Sequence, residues 1–445
     1  MRQETARERT ATGRMGRAGE DLLARPTGVR LRARHAEPPV RPASAPHVSP
    51  PSRPNAAAVG IRSPLAARFA RISQPGAVDY LLLLAVVALL LLGLVMVYSA
   101  SQFAVPGDPG YWFRHQVIWE IIGLAALIVT SRIDYTLWRK AALPGMGLCV
   151  ALLLLVQVAG HTAYGAQRWL SLGLFSFQPS ELTKLALAIY VADWLVRKGD
   201  DVRSLRSGLL PFAALTGIVL GLILLQNDLG TSIVVAVLAV AMFFAAGANL
   251  LQLVPTLAAG VLAAFVFAAG TSFRRARLDA FLHPLPPGCA SATSYQVCQG
   301  LISLGSGGIF GRGLGDSVQK AGYLPNPFTD SIFAVTGEEL GLLGCALIVF
   351  LFGLLAFRGL RIGRRVPNAY GSLLACGITC WLVVQAAVNI GSVVDAIPFT
   401  GVPLPFVSYG GSSLATSLAA VGILLNISRH ASLSMDRQVP RGTPR

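Results

Sequence analysis

Past residue 78 the chain is organised by long apolar stretches separated by polar connections. A helix crossing a bilayer needs about 20 largely apolar residues. Ten stretches meet or approach that length: 79–99, 115–131, 141–160, 181–196, 208–226, 231–247, 250–270, 331–357, 370–395 and 409–428. Most connections are too short to cover ten such helices in water. The pattern therefore predicts an all-α polytopic membrane protein with ten transmembrane helices. One connection is long, the stretch 271–330 between the seventh and eighth spans, and its Gly and Pro content suits a shaped surface rather than a linker. Residues 1–77 hold no long apolar run and are rich in Arg, Ala and Pro, which predicts a disordered basic tail without the apolar core of a signal peptide. Residues 429–445 form a second tail after the 78–428 membrane domain.

Composition supports the bilayer. Of 445 residues, 53% are hydrophobic and 13% charged, against about 25% charged in ordinary soluble domains. The formal net charge of +16 suggests nucleic acid at first sight. No nucleic-acid partner is expected, because membrane proteins concentrate Lys and Arg on their cytoplasmic side. The first 77 residues hold 14 Arg and five acids. Placing that tail in the cytoplasm puts Arg132, Arg139 and Lys140, then Arg197, Lys198, Arg203 and Arg206, then Arg358, Arg361, Arg364 and Arg365 on the same side. Both termini are then cytoplasmic, and 271–330 is extracytoplasmic. Its Arg274, Arg275, Arg277, Arg312 and Lys320 are either an outer anion site or charges that nothing selects against.

Several polar groups fall at helix mouths. Arg168 and Trp169 stand at the membrane edge, either as an interfacial anchor or as functional groups. Ser180 is placed to cap the fourth helix, and Glu181 and Lys184, three residues apart, can pair on one face. Asp228 sits in a short turn and Asp330 at the start of the eighth helix, both suited to capping. Glu338 and Glu339 enter the eighth apolar run, where carboxylates need partners or water. Residues 305–317 hold six Gly in thirteen positions and lack the GK[ST] of a Walker loop, although their exposed N–H groups suit phosphate oxygens. Pro403, Pro405, Ser408 and Tyr409 suggest a re-entrant segment or a tight entry to the tenth span. Cys289 and Cys298 share one polar loop and can close a disulfide if it is extracytoplasmic. The other four cysteines read as small buried hydrophobes, and no Cys/His cluster has zinc spacing.

Five stretches, RWLSLGLFSFQPSELTKL, QNDLGTSIV, YQVCQGLISLGSGGIFGRGLG, LPNPFTDSIFAVTGEELGLLG and TGVPLPFVSYGGSSL, in this order and spacing, resemble the SEDS family of polytopic membrane proteins, which includes FtsW and RodA. The likeness runs from about residue 78 to about residue 428, and GLGDSVQKAGYLP is closer to the FtsW division branch. The resemblance implies a peptidoglycan glycosyltransferase that polymerises lipid II at the outer face of the cytoplasmic membrane during cell division. It also implies a class B penicillin-binding protein as partner, other divisome proteins, and surrounding membrane lipids.

An acceptor hydroxyl would attack the anomeric carbon of the donor and release a polyprenyl diphosphate. A carboxylate takes the proton and cations steady the leaving group. Arg168 and Lys184 match family motif positions, whereas Arg274 and Arg277 are inferred from charge placement. Trp169, Glu181, Gln296, Ser408 and Tyr409 complete the expected substrate-binding set. A divalent cation at the diphosphate would add to this, without a dedicated ligand set in view. The family's loop Asp-Pro step is replaced here by Pro286 and Pro287. That leaves Asp279 and Asp330 as the candidate catalytic carboxylates. Two other functions compete. A precursor flippase would line a path with Glu338, Glu339 and Lys184, and a non-catalytic scaffold would activate a transpeptidase.

Overall fold

The computed structural model describes residues 76, 78–163, 166–172, 175–249 and 294–436, with scattered positions between 251 and 289. The basic tail up to residue 75, most of the seventh apolar stretch, Arg274, Arg277, Asp279 and residues 437–445 lie outside the described residues.

The helices are α1 (Tyr80–Ser101), α2 (Tyr111–Arg132), α3 (Trp138–Ala159), α4 (Pro179–Lys198), α5 (Leu210–Leu225), α6 (Leu229–Ala245), α7 (Tyr295–Ser306), α8 (Ile332–Arg365), α9 (Ala369–Val393) and α10 (Gly411–Asp436). Seven helical segments, those containing α1, α2, α3, α5, α8, α9 and α10, are long and apolar enough to cross a bilayer. The apolar α6 has 17 residues, and α4 carries charged side chains. Nine of the ten expected spans therefore have a helix in place, and the seventh, 250–270, falls mostly outside the described residues. The polypeptide is a multi-pass membrane protein. α10 is its axis, with 89% of its apolar window buried, whereas α2 is peripheral, with 22% buried.

Caps fix where several helices begin. Asp79 accepts from the Leu82 N–H at 3.1 Å, and Arg358 of α8 grips the same carboxylate at 2.7 Å. One acid thus starts α1 and ties it to α8. Asp228 caps α6 through the Thr231 N–H at 3.1 Å, as expected. Two expected caps are corrected. α4 starts at Pro179, whose fixed φ and missing N–H suit the first helical position. Ser180 therefore lies inside the helix and accepts from Gln178 Nε2 at 3.0 Å. α8 starts after Ser331, so Asp330 is one residue too early to cap it.

Two further differences come from packing. Between α3 and α4 lies a small antiparallel sheet, β1 (His161–Ala163), β2 (Ala166–Leu172) and β3 (Phe175–Phe177), in the order β1–β2–β3. Leu170 is buried and the next residue, Ser171, exposed, as expected where successive side chains of a strand face opposite sides. The long connection is also folded in its second half. α7 buries Val297, Cys298, Gly300 and Ser303, and a disulfide joins Cys298 to Cys289.

The eighth span is not continuous. Gly341 adopts φ +67°, breaking α8 after Leu340. The break releases the carbonyls of Glu338 and Glu339, which accept from the N–H groups of Arg312 at 2.9 Å and Gly313 at 3.1 Å. In return, the Leu342 N–H donates to Gly308 at 2.9 Å and that of Leu343 to Ile309 at 3.3 Å. A side chain would block this approach, since a Cβ on Gly311 would stand 2.1 Å from the Glu339 carbonyl oxygen. The glycines of 305–317 thus let two backbones touch. The Arg312 and Gly313 N–H groups serve the helix break, a correction to their expected role at phosphate oxygens.

Gly341→Ala should lower stability by about 1–3 kcal/mol from its positive φ alone. A Cβ there would also meet Gly311 N at 2.3 Å. Thermal unfolding in detergent checks this, with Gly353→Ala, which meets nothing within 4 Å, as the control.

Candidate functional site

Polar side chains gather at the end of the bundle where α1 meets α2, α3 meets α4 and α9 meets α10. The deepest is Lys184, with a side chain 0% exposed. Its Nζ donates to Glu181 Oε1 at 2.7 Å and to Gln385 Oε1 at 2.7 Å, and lies 5.4 Å from the Trp381 ring centre. The expected pair on one face of α4 is therefore present and joined to α9. Trp381 Nε1 donates to the same Gln385 oxygen at 2.8 Å. Gln385 Nε2 then donates to the Pro403 carbonyl at 3.0 Å. A buried ammonium is tolerable only with this degree of pairing.

A second set stands at the α3–α4 connection. β2 places Arg168 so that its guanidinium donates to the Gln226 carbonyl at 3.4 Å and to the Asn227 carbonyl, with Asp228 Oδ1 at 3.6 Å. Trp169 follows, half-buried and in register with His161. Gln178 Nε2 donates to Asp228 Oδ2 at 3.1 Å, and the Gln178 N–H to Ser412 Oγ at 3.4 Å. Asp228 does more than cap a turn: it is buried and joins α4, α6 and the sheet.

The third set surrounds residues 401–410, an irregular segment with Val402 and Leu404–Ser408 buried. Ser408 Oγ accepts from the Leu404 N–H at 2.8 Å, closing its turn. The Tyr409 N–H donates to the Phe328 carbonyl at 2.9 Å. The Tyr409 ring stands 5.0 Å from Trp112 and 5.9 Å from Phe328, and those two rings are 5.3 Å apart. Asn389 Nδ2 donates to the carbonyls of Asp330 at 2.9 Å and Val402 at 2.7 Å. The Asp330 side chain accepts from Thr329 Oγ1 at 2.9 Å. A Cβ built on Gly401 would lie 3.6 Å from Asp330 Oδ2, so this carboxylate borders the segment. Gln296 of α7 donates to Ser331 Oγ at 3.0 Å. Asp330, Gln296, Ser408 and Tyr409 are thus one neighbourhood, to which Lys184 and Glu181 connect through Gln385.

Glu338 and Glu339 belong elsewhere. Glu338 accepts from Ser317 Oγ at 2.6 Å, Ser303 Oγ at 3.0 Å and the Val318 N–H at 3.0 Å. Glu339 accepts from Ser99 Oγ at 2.6 Å and pairs with the buried Lys320 at 2.8 Å. Both carboxylates lock the glycine-rich loop to broken α8, sharing no bond with the Lys184 set among the described residues. The structure therefore supplies no joined Glu338–Glu339–Lys184 path.

Gln178, Gln385 and Asn389 were missed as site residues. The available signal was polarity in apolar context, with Gln385 and Asn389 four residues apart inside 370–395. Among the described residues, no group of three or more His, Cys, Asp or Glu is placed to hold a metal ion.

With this geometry in view, the chain can be set beside known proteins. A family model described as cell cycle protein, covering FtsW, RodA and SpoVE, matches residues 80–433. A probable peptidoglycan glycosyltransferase FtsW of Geobacter sulfurreducens is 41% identical over 358 residues, 79% of this chain and 95% of that protein. The stage V sporulation protein E of Bacillus subtilis is 39% identical over 358 residues, 79% of this chain and 97% of that protein. Among solved structures, a chain of a peptidoglycan synthase complex aligns with a TM-score of 0.66 at 30% identity, covering 80% of this chain and 98% of that one. The rod shape determining protein RodA of Thermus thermophilus aligns at 0.59 and 29% identity, covering 79% and 97%.

Removing Lys184 should strand a buried carboxylate. Lys184→Met is expected to cost about 3–5 kcal/mol, and adding Glu181→Leu should recover most of it. Thermal unfolding of the single and double variants checks this, and equal losses would show that the two side chains are not coupled.

Proposed function

The chain belongs to the FtsW/RodA/SpoVE family, and from that premise we propose that it polymerises lipid II into glycan strands during cell division. It is a peptidoglycan glycosyltransferase on this reading, acting at the outer face of the bacterial cytoplasmic membrane with both termini in the cytoplasm. The observation that carries it is the convergence of the family motifs on one end of the bundle. There Asp330, Gln296 and Tyr409 surround the segment 401–410, which Gln385 and Asn389 hold from below.

The reaction needs an acceptor hydroxyl aligned on the anomeric carbon of a donor whose polyprenyl diphosphate departs. Asp330 is a described carboxylate at this mouth, half-buried and bordering Gly401, and suits the task of taking the hydroxyl proton. Asp279, on the preceding stretch of the long connection, is the alternative. Arg168, 21% exposed, offers a cation to the leaving diphosphate, with Asp228 fixing its direction. Arg274 and Arg277 would add charge from the same connection. Lys184 and Glu181 are positioning residues, because Lys184 has no exposed surface and acts through Gln385 on Pro403. A divalent cation would have to be held chiefly by the diphosphate itself, because no group of three or more His, Cys, Asp or Glu lies together among the described residues, and no step is routed through one.

A class B penicillin-binding protein is the natural partner, since glycan strands must be crosslinked as they form. The scaffold reading draws on Pro286 and Pro287, which occupy the place of the family's Asp-Pro step.

Purified protein, alone and with its class B partner, should convert lipid II into glycan strands. Asp330→Ala should lower the rate by about 10²-fold or more if it is the general base, with Asp279→Ala assayed beside it. Loss in Asp279→Ala alone would move the base to that residue. No strands from the folded, partner-bound wild type would favour the scaffold.

A further inference from the structure

α2 carries a carboxylate that none of the sets above uses. Glu120 stands nine residues after Tyr111 in this 22-residue helix, about 14 Å along the axis at about 1.5 Å per residue. That is near the middle of a hydrocarbon core of about 30 Å. It is half-buried, and no hydrogen bond or ion pair joins it to any described residue. An acid inside a span normally pairs or lines a watered cavity. The other buried acids here obey that rule: Glu181 has Lys184, Glu339 has Lys320 and Asp193 has Arg139.

The surface beside Glu120 is apolar and left uncovered by the described residues. α2 is the least enclosed of the seven spans by the buried share of its apolar window. Ile121, Leu124 and Ile128, at i, i+3 and i+7, share one face and are 62%, 36% and 55% exposed. This is an apolar stripe with one unpaired acid on its flank. A second copy of this chain would bring carboxylate against carboxylate in low dielectric, which is repulsive. A helix carrying a cation would instead complete both halves of the surface.

We propose that this face of α2 docks a transmembrane helix of a partner protein that presents a basic side chain to Glu120 near mid-bilayer depth. The apolar stripe supplies packing, and the ion pair sets depth and selects the partner. The docking site stands whether or not the chain polymerises glycan.

The full-length protein, labelled and reconstituted in vesicles, can be tested by energy transfer to two synthetic transmembrane peptides. One is a poly-leucine helix with a single central Lys, and the other is its all-leucine control. The wild type should bind the Lys peptide about tenfold more tightly than the control, as expected for a paired charge within a bilayer. Glu120→Gln should lose that preference with an unchanged melting temperature. Glu120→Lys should prefer a peptide with a central Glu. Equal binding of both peptides by the wild type overturns the proposal. So does self-association of the wild type that Glu120→Gln abolishes, which would make this face a contact between copies. A loss of glycan-strand formation in Glu120→Gln without the Lys-peptide preference in the wild type overturns it as well, placing Glu120 in the reaction site.

Discussion

An ammonium group with no exposed surface governs the arrangement of this bundle. Lys184 lies inside apolar helices, where Glu181, Gln385 and Trp381 surround its Nζ. Those partners come from α4 and α9, so the pairing fixes how the two helices face each other. The same Gln385 reaches the Pro403 carbonyl and carries the constraint into the segment 401–410. That segment is irregular backbone, tolerated at depth because protein groups satisfy it. Asn389, one turn further along α9, satisfies the Asp330 and Val402 carbonyls. A buried charge deep in the bundle thereby holds the surface around Asp330.

The break in α8 follows the same rule in its backbone form. Unwinding a helix in a bilayer exposes N–H and C=O groups that water cannot reach. Here the loop 307–313 reaches in and pairs with them, and its glycines remove the side chains that would keep the two backbones apart. Glu338 then receives a donor from Ser317, and Glu339 receives donors from Lys320 and from Ser99 of α1. The carboxylates that looked most like a polar route across the membrane are instead locks. They hold α7 and the following loop beside the mouth, where Gln296 reaches the residue next to Asp330.

The contrast between locked and unpaired groups is informative for chemistry. Groups with every partner satisfied hold shape and are poorly placed to exchange protons or receive a ligand. Arg168 and Asp330 keep partial exposure while anchored on one side, which suits the roles proposed for them. Glu120 represents a third case, a carboxylate in a span with no partner among the described residues.

Much of this was legible in the sequence. Run lengths marked nine helices, with every start within four residues, although α8 and α10 each run eight residues past the expected end; a bilayer imposes both a minimum length and apolarity on anything that crosses it. The i, i+3 spacing of Glu181 and Lys184 foretold their pairing, since helical geometry alone brings such residues together. Asp228 was recognisable as a cap for the same local reason. The rest needed the tertiary structure. Ser180 and Asp330 sat at plausible capping positions, but Pro179 and Ser331 set the true helix starts. The purpose of the six glycines, the break at Gly341 and the depth of Lys184 depend on contacts between residues 26 to 201 positions apart. No local pattern encodes them. Sequence by itself determined which segments enter the membrane and which short-range pairs form. Only the packed structure decided which polar groups are consumed in satisfying one another, because burial and partner count are properties of the whole bundle.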